Sequence, residues 1–111
     1  MEGWKDLNSI EDLDNAIALS NEKAVVLFKH STRCSISTMA HNRIEKAAAD
    51  LAAQAHCYYL DLIAFRDVSH AIAEKLGVMH ESPQILVVKN GVCNYSATHY
   101  DIRANEVLEN I

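Results

Sequence analysis

The sequence feature that most constrains the fold is the run Ala24–Phe28, which reads AVVLF and contains no polar residue. A short, unbroken run of apolar and β-branched residues is typical of a central strand that is buried on both faces of its sheet. Sheets covered on both faces occur mainly in α/β domains, where helices form the outer layers. The run therefore predicts an α/β domain.

Segments with helical periodicity lie on either side of this strand. Ser9 followed by Asp12 fits a helix N-cap, and apolar residues at helical spacing continue a first helix to about Leu19. After Cys34, apolar residues recur at i, i+3 and i+4 spacing and predict one long helix that reaches Ala55.

The alternation of strand and helix continues toward the C-terminus. A second strand is predicted over His56–Leu62, followed by a short helix that Asp67 caps and Gly77 ends. The order strand, helix, strand, helix implies a parallel pair of strands joined by a crossover.

A hairpin and a last helix complete the prediction. Strands over Gln84–Lys89 and Val92–Ala97 are joined by Asn90-Gly91, a dipeptide that suits a turn in which both positions need a positive φ. The last helix opens at Asp101. The predicted order is αβαβαββα around a central mixed four-stranded sheet, and no linker or repeat divides the single domain 1–111.

The overall charge and composition limit the function. The formal net charge is −5 at pH 7 and the basic residues are scattered, which argues against nucleic-acid binding. The sequence shows neither an apolar membrane span nor the pattern of a signal peptide. Three widely spaced cysteines fit reduced thiols better than a disulfide framework. We therefore expect a soluble cytoplasmic protein with no nucleic-acid or membrane partner.

The neighbourhood of Cys34 differs from the rest of this acidic chain. Residues 29–46 hold four basic residues and one acidic residue, so this stretch is electropositive. Cys34 lies between a predicted strand and a predicted helix, where unpaired N–H groups and the helix dipole stabilise a thiolate. Arg33 adds a neighbouring positive charge. These features predict a nucleophilic thiol; the alternative is an ordinary buried cysteine.

Serine occupies position 37, where a second thiol would complete a C-x-x-C motif. The Ser37 hydroxyl is expected to hydrogen-bond the Cys34 thiolate from one helical turn away, but it cannot form a disulfide. A C-x-x-S protein stops at a mixed disulfide and needs an outside thiol to complete the exchange. Cys57 and Cys93 both fall in strands, and Cys93 is the better candidate for a resolving thiol if the fold brings it near Cys34.

The only proline, Pro83, directly precedes the third predicted strand. We expect the Ser82-Pro83 bond to be cis, which would present the Ser82 backbone beside Cys34 as a groove for an extended substrate; a trans loop proline is the alternative. His30 and His80 are expected to border this site and to tune the thiolate or contact carboxylates, unless they are ordinary polar histidines.

Together these residues resemble a known family. Cys34 after a central strand, a crossover, Ser82-Pro83 and an Asn-Gly hairpin look like the thioredoxin fold across nearly the whole chain. The segments FKHSTRCSIS and HESPQILVVKNG resemble the monothiol bacilliredoxins more closely than thioredoxins or glutaredoxins. Two residues depart from related patterns: Ser35 replaces a proline common in the family, and Phe28 stands where thioredoxins keep a buried aspartate.

The resemblance implies an enzyme that removes bacillithiol from mixed disulfides on cytosolic proteins after oxidative stress. It makes Cys34 the attacking thiol, Ser37 the replacement of a resolving cysteine and Pro83 the cis-proline of the substrate groove. No bound cofactor or metal is implied, and bacillithiol or another low-molecular-weight thiol serves as co-substrate. The partners would be S-thiolated proteins and a recycling thiol or redox protein.

Two alternatives stay open at the level of the sequence. One is a thioredoxin-like binding module in which Cys34 is modified under stress without turnover. The other is a monothiol glutaredoxin-like protein that uses glutathione, although the Cys-Gly-Phe-Ser motif of cluster-binding glutaredoxins is not present.

Overall fold

The computed structural model describes all 111 residues, which form five strands, five α-helices and one 3-10 turn. No helix has the length and apolar character needed to cross a membrane. The elements, in chain order, are β1 (Trp4–Asp6), α1 (Ile10–Leu19), β2 (Val25–His30), α2 (Ser35–Glu45), α3 (Ala48–Gln54), β3 (His56–Asp61), α4 (Arg66–Leu76), β4 (Gln84–Lys89), β5 (Val92–Thr98), the 3-10 turn His99–Asp101 and α5 (Ala104–Glu109).

The sheet is mixed and has the strand order β1-β3-β2-β4-β5. Strands β1, β3 and β2 are parallel, whereas β4 is antiparallel to β2 and β5 is antiparallel to β4. The predicted α/β class and mixed sheet are confirmed. The prediction of four strands is wrong, because β1 is a three-residue edge strand whose residues are exposed or half-buried and form no apolar run.

Strand β2 lies at the centre of the molecule, and all six of its residues are buried. Its side chains alternate between two separate hydrophobic cores. Val25 and Leu27 point into a core that is closed by α1 and α4. Val26 and Phe28 point into the other, which is closed by α2, α3 and α5. The apolar run of the sequence is therefore the strand that divides the two cores.

The single long helix predicted after Cys34 is in fact two helices, α2 and α3. The chain leaves α-helical geometry at Ala47, with φ −113° and ψ 10°, and the N–H of Ala47 bonds the carbonyl of Ile44. Ile44 and Leu51 are nevertheless buried in the same core. Alanine favours helix on both sides of the break, so helix propensity does not mark its position.

Two other helix starts differ from the prediction. Helix α4 begins at Arg66 after Phe65, and Asp67 lies within the first turn, where it does not act as the N-cap. The last helix begins at Ala104, because the chain first forms a 3-10 turn over His99–Asp101. The predicted end of α4 is confirmed, since Gly77 has a left-handed φ of 65°.

The tight hairpin between β4 and β5 is also confirmed. Asn90 and Gly91 both have positive φ, at 52° and 77°. The turn is held to the end of α1 by Ser20, whose carbonyl accepts from the N–H of Asn90 and whose hydroxyl accepts from the N–H of Gly91. The hairpin therefore closes the sheet at the end opposite to Pro83.

We predict that Gly3→Ala destabilises the protein more than Gly77→Ala. Both glycines have positive φ, but a Cβ at Gly3 would lie 2.8 Å from the Cβ of Ala52, whereas a Cβ at Gly77 meets no atom within 4 Å. Backbone strain alone costs about 1 kcal/mol, and the overlap with α3 should raise the cost at Gly3 to about 2 to 3 kcal/mol. Urea unfolding of the two variants measures the difference, and equal losses would contradict the packing of β1 on α3.

Candidate active site

Cys34 is the N-cap residue of α2, four positions after the last residue of β2. Its backbone is extended, with φ −112° and ψ 125°, and its N–H bonds the carbonyl of Ser31. The side chain is half-buried and the thiol is free. No side chain caps α2, so the free N–H groups and the dipole at the start of this helix favour a negative charge near its N-cap residue. This is the position that the sequence predicts for the reactive thiol.

Ser37 lies in the first turn of α2, fully buried behind Cys34. Its hydroxyl accepts from the N–H of Ser31 at 2.9 Å and lies 2.6 Å from Nδ1 of His30. The predicted hydrogen bond from Ser37 to Cys34 is therefore replaced by these two contacts. The physical reason is that the chain leaves the sheet after His30, and a buried N–H just beyond the strand needs an acceptor.

His30 is the last residue of β2 and belongs to a cluster of aromatic rings. Its ring centroid lies 4.9 Å from that of His41, 5.8 Å from that of Tyr59 and 5.9 Å from that of Phe28. Burial lowers the pKa of His30, and the nearby charge of His41 lowers it further. The structure thus places His30 beneath Ser37 as a neutral ring that positions the hydroxyl.

Lys29 is a buried charged residue near the candidate site that sequence reasoning missed. Its side chain is fully buried, and its Nζ lies 2.7 Å from Nδ1 of His80. Burial lowers the pKa of Lys29 to about 8, although the charge of Glu81 acts in the opposite direction. Its burial could have been predicted from the sequence, because this lysine directly follows the apolar run of a strand that is expected to be buried on both faces.

His80 accepts the hydrogen bond from the buried ammonium. Burial lowers the pKa of His80, and the charges of Lys29 and His70 lower it further, which fits a neutral ring whose Nδ1 is an acceptor. The hydroxyl of Ser69 lies 3.2 Å from the same nitrogen. His80 therefore joins the end of β2 to α4, on the face of the sheet opposite to α2.

The Ser82-Pro83 bond is cis, and the trans alternative is wrong. Pro83 precedes Gln84, which pairs with Lys29, so the proline lies at the same end of the sheet as the loop that carries Cys34. The hydroxyl of Ser82 and Oε1 of Gln84 are buried and have no hydrogen-bond partner. Two unsatisfied polar atoms are thus enclosed in the protein next to the cis-proline.

The basic residues near Cys34 fall into two groups. Arg33 is exposed next to the thiol and forms no ion pair with a carboxylate. Arg43 instead donates from Nε to the carbonyl of Ile102 at 2.9 Å and from Nη2 to that of His99 at 3.0 Å. Arg43 thus joins α2 to the chain before α5, and Arg33 is the free charge closest to Cys34 in the sequence.

The other two cysteines lie at the far end of the sheet. Cys57 pairs with Val26, and Cys93 pairs with Val88, the partner of Val25. Five strand residues separate Val25 from the end of β2, a distance of about 17 Å, whereas a disulfide needs Cα atoms within about 7 Å. The prediction that Cys93 acts as an intramolecular resolving thiol is therefore wrong.

The two distant thiols are also poorly suited to ionise. Burial raises the pKa of Cys57 to about 12. Burial raises the pKa of Cys93 as well, although hydrogen bonds to the backbone partly oppose this. No group of three or more His, Cys, Asp or Glu side chains is arranged to hold a metal ion.

A family model described as Monothiol bacilliredoxin BrxC matches residues 5–107. The chain belongs to the monothiol bacilliredoxin family. The match covers β1 to α5, so it includes Cys34, the cis-proline and both cores of this bacilliredoxin.

Solved structures support the same fold. A protein proposed to be an oxidoreductase with a thioredoxin fold is 33% identical, with a TM-score of 0.81 over 95% of this chain and 90% of the other. Thioredoxin O2 from Arabidopsis thaliana in the oxidized state is 19% identical, with a TM-score of 0.76 over 98% and 94% of the two chains. Fasciola hepatica thioredoxin is 16% identical, with a TM-score of 0.73 over 96% and 95%. The bacilliredoxin thus has the thioredoxin fold, and its family supports a redox function.

We predict that Ser37→Ala destabilises the bacilliredoxin by about 2 kcal/mol, because it leaves the buried Ser31 N–H and His30 Nδ1 without a partner. Thr38→Ala is a matched control, since Thr38 is exposed and loses only a hydrogen bond to the carbonyl of Cys34. Its loss should stay within about 0.5 kcal/mol. Chemical denaturation measures both, and a Ser37→Ala protein as stable as the control would show that the buried hydroxyl is dispensable.

We predict that Lys29→Met stabilises the protein at neutral pH by about 2 kcal/mol, because it removes a buried ammonium. The folded pKa is about 8 and the ordinary value is 10.5, so the unfolded chain binds more protons between these values. The contribution of Lys29 to stability therefore improves as pH rises through this range. The free energy of unfolding of variant and wild type should converge from pH 7 toward pH 10, and a constant difference would contradict the assignment.

Proposed function

We propose that this chain is a monothiol thiol-disulfide oxidoreductase that removes bacillithiol from mixed disulfides on proteins. The observation that carries the proposal is one half-buried sulfur at the uncapped start of α2, with serine at position 37 and both other thiols at the far end of the sheet. A sulfur in this setting can accept an adduct but has no partner with which to close a disulfide.

The reaction begins when the Cys34 thiolate attacks the bacillithiol sulfur of the mixed disulfide. The bond between Cys34 and bacillithiol forms as the bond to the substrate cysteine breaks, and the protein thiolate leaves with both electrons of the broken bond. A second thiolate, from free bacillithiol or a redox protein, then attacks the adduct. This step returns the Cys34 thiolate and leaves a disulfide outside the enzyme.

The surrounding residues have separate roles in this scheme. The start of α2 and the exposed Arg33 stabilise the thiolate, whereas Ser37 and His30 hold the loop after β2 in place. The backbone of Ser82 beside Pro83 receives an extended segment of the protein substrate. The position of Pro83 at the end of the sheet that carries the Cys34 loop supports this placement.

The identity of the thiol, the compartment and the partners are proposed on the basis of family membership. Bacillithiol is proposed as co-substrate because the chain belongs to the bacilliredoxins. On this proposal the partners are S-thiolated cytoplasmic proteins, the work is done during recovery from oxidative stress, and a low-molecular-weight thiol or a redox protein regenerates Cys34. No bound cofactor, nucleic acid or membrane takes part.

We predict that wild-type protein takes up bacillithiol from a bacillithiolated model protein and that Cys34→Ser does not. The control is Cys93→Ser, which removes a half-buried thiol at the far end of the sheet. It should transfer the adduct at the wild-type rate, because only Cys34 is placed to react. Intact mass of both proteins over time measures uptake by the enzyme and release of the substrate thiol.

The same experiment separates the competing functions. Uptake without later turnover in excess bacillithiol would indicate a binding module that is only modified. Faster exchange with a glutathionylated model protein would indicate a glutathione-using relative. Equal uptake by Cys34→Ser and wild type would remove Cys34 from the mechanism.

A further inference from the structure

A small pocket lies at the end of the sheet that carries the Cys34 loop, on the face covered by α4. We call it the Arg66 pocket, and its volume is about 40 Å³. Its walls are Leu62, Arg66, Ser69, His70 and His80. A single water needs roughly 10–15 Å³ by this kind of measure. The pocket therefore has room for one carboxylate group with its contacts, but not for a whole low-molecular-weight thiol.

The Arg66 pocket is basic, although the protein as a whole is acidic. None of its walls is an acidic residue. Beneath it, the Nζ of Lys29 lies 2.7 Å from the ring of His80. No carboxylate oxygen lies within 4 Å of the charged groups of Lys29 or Arg66. The pocket thus has an exposed guanidinium in its wall and a buried ammonium behind His80, and neither group forms an ion pair with a carboxylate.

The nearest acidic residues do not fill this role. Glu81 acts on Lys29 and His80 through its charge, but its carboxylate lies 4.0 Å from Nε2 of His99. Asp61 accepts from the N–H groups of Ile63 and Ala64. Asp67 follows Arg66 in the first turn of α4 but is not part of the pocket wall, so the walls themselves carry no negative charge.

Helix α4 adds to the same field. It begins at Arg66, and no side chain caps its first turn. The free N–H groups of a helix start and its dipole favour an anion. Arg66 in the pocket wall stands at the start of α4, and the buried Lys29 contacts His80, which is another wall residue.

The pocket and the reactive thiol are neighbours along the chain. The N–H of Leu62, in the pocket wall, bonds the carbonyl of His30 at 3.1 Å. Four residues lead from His30 to Cys34, which limits their separation to about 14 Å. Both sites therefore border the end of β2, on opposite faces of the sheet, so a ligand that occupied both would extend around this end of the sheet.

We propose that the Arg66 pocket binds a carboxylate of the low-molecular-weight thiol whose sulfur reacts at Cys34. The inference rests on the proposed function and specifies the co-substrate as an acidic thiol. Bacillithiol fits this class through the carboxylates of its malyl group. An acidic side chain of the protein substrate presents the same chemistry, and the experiment distinguishes the two sources.

The test uses one model protein whose single cysteine carries either bacillithiol or cysteamine, which has no carboxylate. Arg66→Gln should slow the transfer of bacillithiol to Cys34 by about tenfold, the effect of losing one charge-assisted contact. It should change the transfer of cysteamine much less. The matched control is Arg103→Gln, an exposed arginine that lies 4.0 Å from Glu106 on α5 and should change neither rate.

The outcomes separate the alternatives. Equal slowing of both adducts by Arg66→Gln would overturn the proposal, since the pocket would then contact the protein substrate or support the structure. Unchanged rates for both adducts would also overturn it. If Arg103→Gln slowed the transfer of bacillithiol as much as Arg66→Gln, the effect would come from the net charge of the protein, and the proposal would be overturned.

A second measurement keeps the proposal independent of turnover. Titration with malate, which has the carboxylates but no thiol, should shift the ring proton signals of His70 and His80 in wild type and not in Arg66→Gln. If wild type transfers neither adduct but malate still shifts these signals, the proposed function fails while the pocket is retained as a carboxylate site. Absence of any shift in wild type would overturn the pocket.

Discussion

The burial of β2 on both faces is the constraint on which the rest of the structure depends. Two cores meet on this strand, and helices must cover both of them. Where the strand ends, the apolar pattern stops but burial continues, so Lys29, His30 and Ser31 enter the interior as polar groups. Each then requires a partner, and the partners are Ser37 in α2 and His80 in the loop before Pro83.

This requirement explains why the end of β2 carries two different groups of polar residues. On the α2 face, His30 and Ser37 form a neutral hydrogen-bonded support behind the reactive thiol. On the α4 face, Lys29 and His80 form a cationic group beside a cavity. The alternation of side chains along a strand separates the two by a single residue. The nucleophile and the charge are therefore close together but occupy different faces of the sheet.

The sequence predicts the parts of the fold that have strong periodicity or turn chemistry. The strands, the first helix, the Asn90-Gly91 turn and the end of α4 at Gly77 follow from local patterns that the structure confirms. The edge strand β1 is not predicted because three residues are too few to show an alternating pattern. The break at Ala47 is not predicted because alanine favours helix on both sides of it. At the site, Cys34 and Pro83 are evident from position, whereas the partners of Ser37 and the isolation of Cys93 depend on tertiary pairing.

The two lateral edges of the sheet, β1 and β5, have a further consequence for association with other chains. One edge is the short strand β1, which exposes Lys5 and Asp6. The other is β5, where Asn94 falls at a bulge in the pairing with β4. Short, charged or bulged edges resist the addition of a foreign strand. The fold thus discourages the addition of further strands along its two sides.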